Sequence, residues 1–349
     1  MSLFAQDYRL LLLLAIVGVV SLSTVLFAVS ALSLRLRNIH TRRLRDRLEH
    51  TWEPIILDVL AGDLPAERVW SSVPASRTPW LIEYLLRVAR RVRGEDLDVL
   101  ARIASPYLDR IARRLRHRSV EQRAFAVETL NLLGRGAYRR EIAATLDDRA
   151  PLVAMIAARA LARKGEPDYL EAILDHLHRF ETWSPRLLAS LLASIGPAAG
   201  PVLRRALTDP QRPLLVRTLA ASALLQLNDL EAADCAVDVL ERDGDRELLA
   251  ASLRLLGKVG RPEQTEPARV LTRSDDFVVR AHALTALARL GAAEDAPRLR
   301  AALDDPSSWV AIHAANGLKI AGHLTQLREL AASDHPRAEL ARQVLSEAV

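Results

Sequence analysis

The chain has 349 residues, half of them apolar but only 4% aromatic, with 14 glycines and a net charge of +5. That length admits two ordinary domains or one elongated repeat array. A single cysteine, Cys235, excludes an internal disulfide and any zinc site built from several thiolates.

Ala and Leu carry the apolar share, and lysine occurs only at Lys164, Lys258 and Lys319, so arginine supplies nearly all the positive charge. Ala, Leu, Arg and Glu lose little side-chain freedom in a helix. Composition therefore predicts an all-α protein, and the arginine bias is of the kind associated with GC-rich bacterial genomes. Cys235 lies in an apolar helical stretch, Ala232 to Val237, and reads as a buried structural thiol.

After a short amino-terminal segment (1–9), residues 10–34 contain no charge and are bracketed by Arg9 and Arg35. At about 1.5 Å per residue this run reaches roughly 37 Å, enough to cross a hydrocarbon core of about 30 Å with some tilt. It is longer than a secretory apolar region and is followed by dense positive charge, so it reads as an uncleaved transmembrane helix. Arg35, Arg37, Arg42, Arg43, Arg45 and Arg47 follow the span, against Arg9 alone before it. The positive-inside rule then puts the amino terminus outside and the rest of the chain in the cytoplasm, with this basic cluster against anionic headgroups. Residues 35–61 read as basic juxtamembrane helices, the second starting at Glu53 with Pro54 in its first turn. Pro65, Pro74 and Pro79 mark residues 62–79 as a linker or loosely packed collar. Residues 80–118 read as a degenerate helical cap whose Glu95 to Arg118 part is irregular.

From there one pattern recurs. Val279-Arg280-Ala281-His282-Ala283-Leu284-Thr285-Ala286-Leu287-Ala288-Arg289-Leu290-Gly291 is the template, and copies start at 122, 153, 184, 216, 248, 279 and 310, in steps of 31 or 32 residues. Template positions one, five and nine recur every four residues and form a buried stripe. The terminal Gly, or Asn228, supplies a left-handed stop, and Asp148, Asp209, Asp275 and Asp305 offer helix-start oxygens before the template. A shorter apolar-periodic helix precedes each template, so each repeat is an antiparallel hairpin that buries its face only by stacking on its neighbours. Seven such repeats occupy residues 119–336, and residues 337–349 read as a closing helix.

The run Asp-Pro or Asp-Asp followed by Val-Arg-x-x-Ala-x-x-x-Leu-x-x-x-Gly resembles the bacterial HEAT-like repeat family that includes phycobilin-lyase-type repeats. The resemblance implies a right-handed α-α superhelix, here behind one transmembrane helix. It also implies that the second-position arginines Arg123, Arg217 and Arg280 bond the Asp-rich turn of a neighbouring repeat, and that the template helix lines the concave side. An array on one amino-terminal anchor further resembles bacterial inner-membrane proteins encoded beside family 2 glycosyltransferases.

On that concave side, positions seven and eleven share a face one turn apart. They hold Arg159, Arg163, Arg254, Lys258 and Arg289 among mostly uncharged residues, with Glu128 the one acid. The groove is therefore expected to be mildly basic and to take an acidic partner segment or an anionic headgroup. His282 and His313 occupy the same position in successive repeats. Helix spacing puts them roughly 10 Å apart, beyond one metal's reach, and His176 and His178 point to different sides of a helix. No phosphate loop, zinc-protease helix or serine elbow is present, so no cofactor, metal or catalytic role is expected. The sequence reads as a membrane-anchored protein-binding scaffold. The alternatives are an accessory subunit of a bilin-lyase-type transferase, or a nucleic-acid-binding array drawing on Arg110, Arg113, Arg114, Arg116 and Arg118. Stacking aromatics are nearly absent around that last cluster.

Overall fold

The computed structural model describes residues 22–33, 35, 48–291 and 293–347. Most of the expected transmembrane span, and all of its basic cluster except Arg35, lie outside those residues. Among the described residues no single helix is long and apolar enough to cross a membrane. Within the span, helix α1 (Leu22–Ser33) is apolar and exposed. All regular structure among the described residues is helical, apart from one isolated bridge between Arg163 and Glu166. Two compact units divide the chain: residues 1–113 with 129–137, and residues 114–128 with 138–349.

In the first unit, α2 (48–61) is continuous through the point where a break was expected, with Pro54 inside it. It buries Trp52, Ile56 and Val59 at helical spacing, and Arg87 grips Glu49 with two hydrogen bonds of 2.8 and 2.9 Å. The supposed linker is structured. It carries α3 (Glu67–Ser72) and a 3₁₀ turn (Ala75–Arg77), buries Val69 and Val73, and is pinned by Trp70 Nε1 donating to the Ile103 carbonyl at 2.9 Å. Its prolines start elements rather than forbid them: Pro79 sits in the first turn of α4 (Thr78–Ala89).

The Glu95–Arg118 stretch, expected to be irregular, is mostly the helix α5 (Glu95–Ala112), with Pro106 inside. Three acids in its first turn suit the positive end of the helix dipole. Leu100, Ile103, Ala104, Leu108 and Ile111 give it a buried stripe. Proline removes the N–H that would bond the Arg102 carbonyl, and the Ser105 hydroxyl donates to that carbonyl instead, at 2.9 Å.

α6 (Val120–Leu133) contributes its first part to the second unit. That unit then repeats a short first helix and a template helix: α7 (Arg139–Ala143) and α8 (Pro151–Leu161); α9 (Leu170–Asp175) and α10 (Pro185–Ala193); α11 (Gly200–Thr208) and α12 (Leu214–Leu227); α13 (Ala232–Arg242) and α14 (Arg246–Val259); α15 (Glu266–Leu271) and α16 (Phe277–Leu290); α17 (Ala296–Ala301) and α18 (Ser308–Ile320). α19 (Leu324–Ala331) and α20 (Ala338–Ser346) close the stack over a core that includes Leu318, Leu327, Ala341 and Val344.

Positions one, five and nine are buried as expected: Val153, Ala157 and Leu161; Val216, Ala220 and Leu224; Val279, Ala283 and Leu287; Val310, Ala314 and Leu318. Template helices α10, α12, α14, α16 and α18 pack in succession, and do so more extensively than the first helices do. Small residues permit this. A methyl group on Gly257 of α14 would lie 2.9 Å from the Cα of Ala286 on α16, inside van der Waals contact. Asn228, Gly291 and Gly322 take the left-handed conformation. Gly260 does not; its φ is −73°, and glycine is needed there because a Cβ would meet the Leu256 carbonyl at 2.5 Å.

Candidate functional site: the face of the template helices

The second-position arginines are structural, as the family resemblance implied. Arg123 donates from Nε and Nη2 to Asp148 at 2.6 and 2.8 Å, and from Nη1 to the carbonyls of His117 and Arg118. Arg217 donates to Asp243 and to the Leu207 carbonyl, and Arg280 grips Asp305 at 2.8 and 3.0 Å. Each partner lies 25 or 26 residues ahead, in the turn before the next template helix. The same carboxylates organise that turn, with Asp148 accepting from Ala150 N–H and Asp305 from Ser307 N–H. Burial works to raise the Asp148 carboxyl, but the Arg123 hydrogen bonds and the Ala150 N–H outweigh it and hold the group below its ordinary range. Asp209 makes the same turn through Gln211 N–H. Asp275 does not cap; Asp276 does, accepting from Val278 and Val279. A parallel clamp on the first helices, Arg204 to Asp229 and Arg269 to Asp295, went unread in the sequence. The 25- to 26-residue Arg-to-Asp spacing was the signal for it.

Positions seven and eleven remain uncovered. Arg254 and Lys258 on α14 and Arg289 on α16 are exposed, and among the described residues no carboxylate lies within ion-pairing distance of any of them. Arg254 and Arg289 both act electrostatically on His282 and help to lower its pKa. Arg159 and Arg163 are not part of this cluster. α8 stops at Leu161, with Ala162 leaving helical geometry. Arg163 therefore lies off the helix and turns to Glu166 at 3.8 Å, while Arg159 remains exposed on α8. The expected groove thus resolves into a basic centre on α14 and α16 and a separate arginine pair at α8. Between them Ser190 and Gln226 hydrogen-bond at 3.0 Å.

The histidines are closer than helix spacing suggested. The rings of His282 and His313 have centroids 5.8 Å apart, not about 10 Å, because side chains one position deep converge across neighbouring helices even when the axes do not. The Trp309 ring lies 4.9 Å from His313. Thr285 donates its one hydroxyl proton to the Ala281 carbonyl at 3.0 Å, so at 2.9 Å it accepts from His313 Nδ1–H. That fixes the tautomer and leaves the lone pair of His313 on Nε2. Burial pushes His282 down to about 4, helped by Arg254, His313 and Arg289, and burial lowers His313 too. Both rings are therefore neutral at physiological pH, beside exposed cations. His176 and His178 also approach, at 6.4 Å, because α9 ends at Asp175 and a 3₁₀ turn follows. Among the described residues no group of three or more His, Cys, Asp or Glu could hold a metal. Cys235 is half-buried rather than buried, and burial raises its thiol.

A second element begins at the amino-terminal halves of these helices and reaches Gln226 and Arg254. A cleft of about 790 Å³ runs along α10, α12 and α14, with Ala189, Leu215, Leu219 and Leu225 on its floor and Arg186, Gln226, Glu247 and Arg254 around it. Leu187, Leu214, Phe277 and Trp309 are large apolar side chains left roughly half exposed near the starts of α10, α12, α16 and α18.

Against known families, residues 234–319 and, in an overlapping match, 269–346 fit the model of HEAT repeats. No curated protein matches the sequence. Among solved structures, human deoxyhypusine hydroxylase aligns at 18% identity over 79% of this chain and 97% of its own, with a TM-score of 0.32. The complex of CpcE and CpcF of phycocyanin lyase from Nostoc aligns at 18% over 68% of this chain and 86% of that one, at 0.33. Importin beta aligns at 14% over 84% of this chain and 49% of its own, at 0.42. The carboxyl-terminal repeats of the stack are thus matched as HEAT repeats.

Proposed function

We propose that this HEAT-repeat protein is a membrane-anchored interaction scaffold that binds and does not catalyse. Residues 10–34 hold it in a bacterial inner membrane with the amino terminus outside, and Arg35, Arg37, Arg42, Arg43, Arg45 and Arg47 rest on anionic headgroups. The repeats in the cytoplasm grip a membrane-associated protein, of the kind of a glycosyltransferase or envelope-assembly enzyme. Anchoring both partners in one membrane raises their effective concentration for each other. The anchor is supported by the uncharged run and the arginine asymmetry of the sequence.

The observation that carries the binding role is the exposure of Arg254, Lys258 and Arg289 on successively packed helices, without carboxylate partners among the described residues. Every second-position arginine in the same stack is clamped; these three are left outward. The test is a mild-detergent pull-down of the full-length chain beside the triple variant Arg254→Glu, Lys258→Glu, Arg289→Glu, read by mass spectrometry. One membrane protein captured by the first and lost with the second is the expected result. Capture unaffected by the reversals would remove the groove from the function.

A further inference from the structure

We propose, resting on the scaffold reading above, that the occupant of this face is an acidic amphipathic helix lying across α12, α14, α16 and α18. The face carries two parallel lanes. Along the amino-terminal halves of the template helices runs an apolar and aromatic lane, from the Leu215 and Leu219 floor of the cleft to Trp309, which is 51% exposed. Along the carboxyl-terminal halves runs the cationic lane of Arg254, Lys258 and Arg289. Along a template helix the outer edge of the apolar lane, at the level of Leu215 and Trp309, stands about seven residues or about 10 Å from position seven, and Arg254 borders the cleft where the lanes meet.

That spacing selects the shape of the partner. A helix with side chains is about 10–12 Å across, so one lying across the template helices reaches both lanes at once, its apolar stripe on one and its carboxylates on the other. An extended strand projects its side chains to opposite faces and would engage one lane only. Charge complementarity selects its sign: the cationic lane has no acid at positions seven or eleven from α8 to α18. Length follows as well. Three helix-to-helix steps of about 8–10 Å span 24–30 Å, which a helix of about 16–20 residues covers. Asp245 and Glu247 both line the cleft at the start of α14, so the occupant carries a cation or a hydrogen-bond donor where it passes that point.

The experiment uses the full chain in non-ionic detergent and fluorescein-labelled synthetic 18-residue peptides, read by fluorescence anisotropy. The probe is a helix with Leu and Phe on one face and Glu on the other. Its controls are a scrambled isomer of the same composition, the Lys-for-Glu counterpart, and detergent alone. Expected is saturable binding of the amphipathic acidic peptide, at least tenfold tighter than either control. Trp309→Ala and the exposed-site pair Arg254→Glu with Lys258→Glu should each weaken it about tenfold, with unchanged circular dichroism. Equal binding of the scrambled isomer would show that charge alone is recognised and overturn the helical occupant, as would binding indifferent to both variants or no binding above the detergent background. If the pull-down still loses a partner on charge reversal while these peptides fail, the groove binds but its ligand has another shape. If neither responds, the scaffold reading fails with it.

Discussion

Removing the Asp148 carboxylate should be among the most damaging single changes in the stack. The carboxylate accepts two hydrogen bonds from Arg123 and one from Ala150 N–H, and the two side chains of the pair are only 4% and 6% exposed. Asp148→Ala leaves a buried guanidinium with carbonyl partners alone and frees a turn N–H. Breaking a buried pair from one side costs about 3–5 kcal/mol. Arg123→Met strands the carboxylate and should cost a similar amount. Arg123→Met with Asp148→Ala strands no charge, so its cost should fall below the sum of the singles by about 2–3 kcal/mol. The exposed pair of Arg342 and Glu339 is the internal control; Glu339→Ala should change stability by about 0.5 kcal/mol or less. Urea unfolding followed by far-ultraviolet circular dichroism gives the energies. Hydrogen exchange then locates the loss, because repeat arrays need not unfold as one unit; protection should fall first in α8. A cost below about 1 kcal/mol for Asp148→Ala, or strict additivity in the double variant, would refute the clamp as a determinant of stacking.

Two further outcomes follow from single residues. Ser252 occupies position five of its repeat, where most other copies hold Ala, and its buried hydroxyl has no hydrogen-bond partner among the described residues; Ser252→Ala should stabilise by about 1 kcal/mol, and a destabilised variant in urea melts would contradict this. His282 has its folded pKa lowered to about 4, against about 6.5 in an unfolded chain, so the unfolded state takes up the proton first. Stability is then full above pH 6.5 and declines as pH falls toward 4. The ceiling is about 3 kcal/mol, reduced to about 1–2 kcal/mol because the ring is partly exposed. His282→Leu should flatten the stability profile between pH 6.5 and 4, and an unchanged slope would show that other groups set it.

The repeat was legible because a slot recurring about every 31 residues must answer the same neighbours each time. Val153, Ala157, Leu161 and their equivalents are buried as the stripe required, and Arg123, Arg217 and Arg280 found the turn aspartates that the family resemblance implied. What escaped the sequence depends on contacts that no single repeat contains. The Glu95 to Arg118 stretch read as irregular, yet Glu95–Ala112 is a helix, in which Ser105 satisfies the Arg102 carbonyl that Pro106 leaves without its N–H. The prolines of residues 62–79 suggested looseness, yet Val69 is buried and Trp70 is tied to α5. Five basic residues shared the groove positions on paper, but α8 ends at Leu161, two residues before Arg163. Periodicity assigns a residue to a face; it does not say that the helix reaches it.

The same periodicity explains how one surface stays available for recognition without weakening the stack. Positions one, two, five, nine and thirteen are each committed to a neighbour, through burial, an aspartate clamp or a helix stop. Positions seven and eleven lie outside the buried stripe, and only the Ser190–Gln226 and Thr285–His313 hydrogen bonds reach a neighbouring template helix from them among the described residues, so their chemistry changes along the array at less cost to folding. Five of the twelve such positions from α8 to α18 are basic and none is acidic, whereas the first helices mix both signs, with Arg204, Arg205, Arg298 and Arg300 as well as Glu171, Asp175, Asp234 and Asp238. A face serving only solubility would intersperse both signs. The one-signed run here, whose Arg254 and Arg289 both help to lower the His282 pKa, places positive charge beside an apolar lane, and it is this pairing that makes the template face the part of the molecule to perturb.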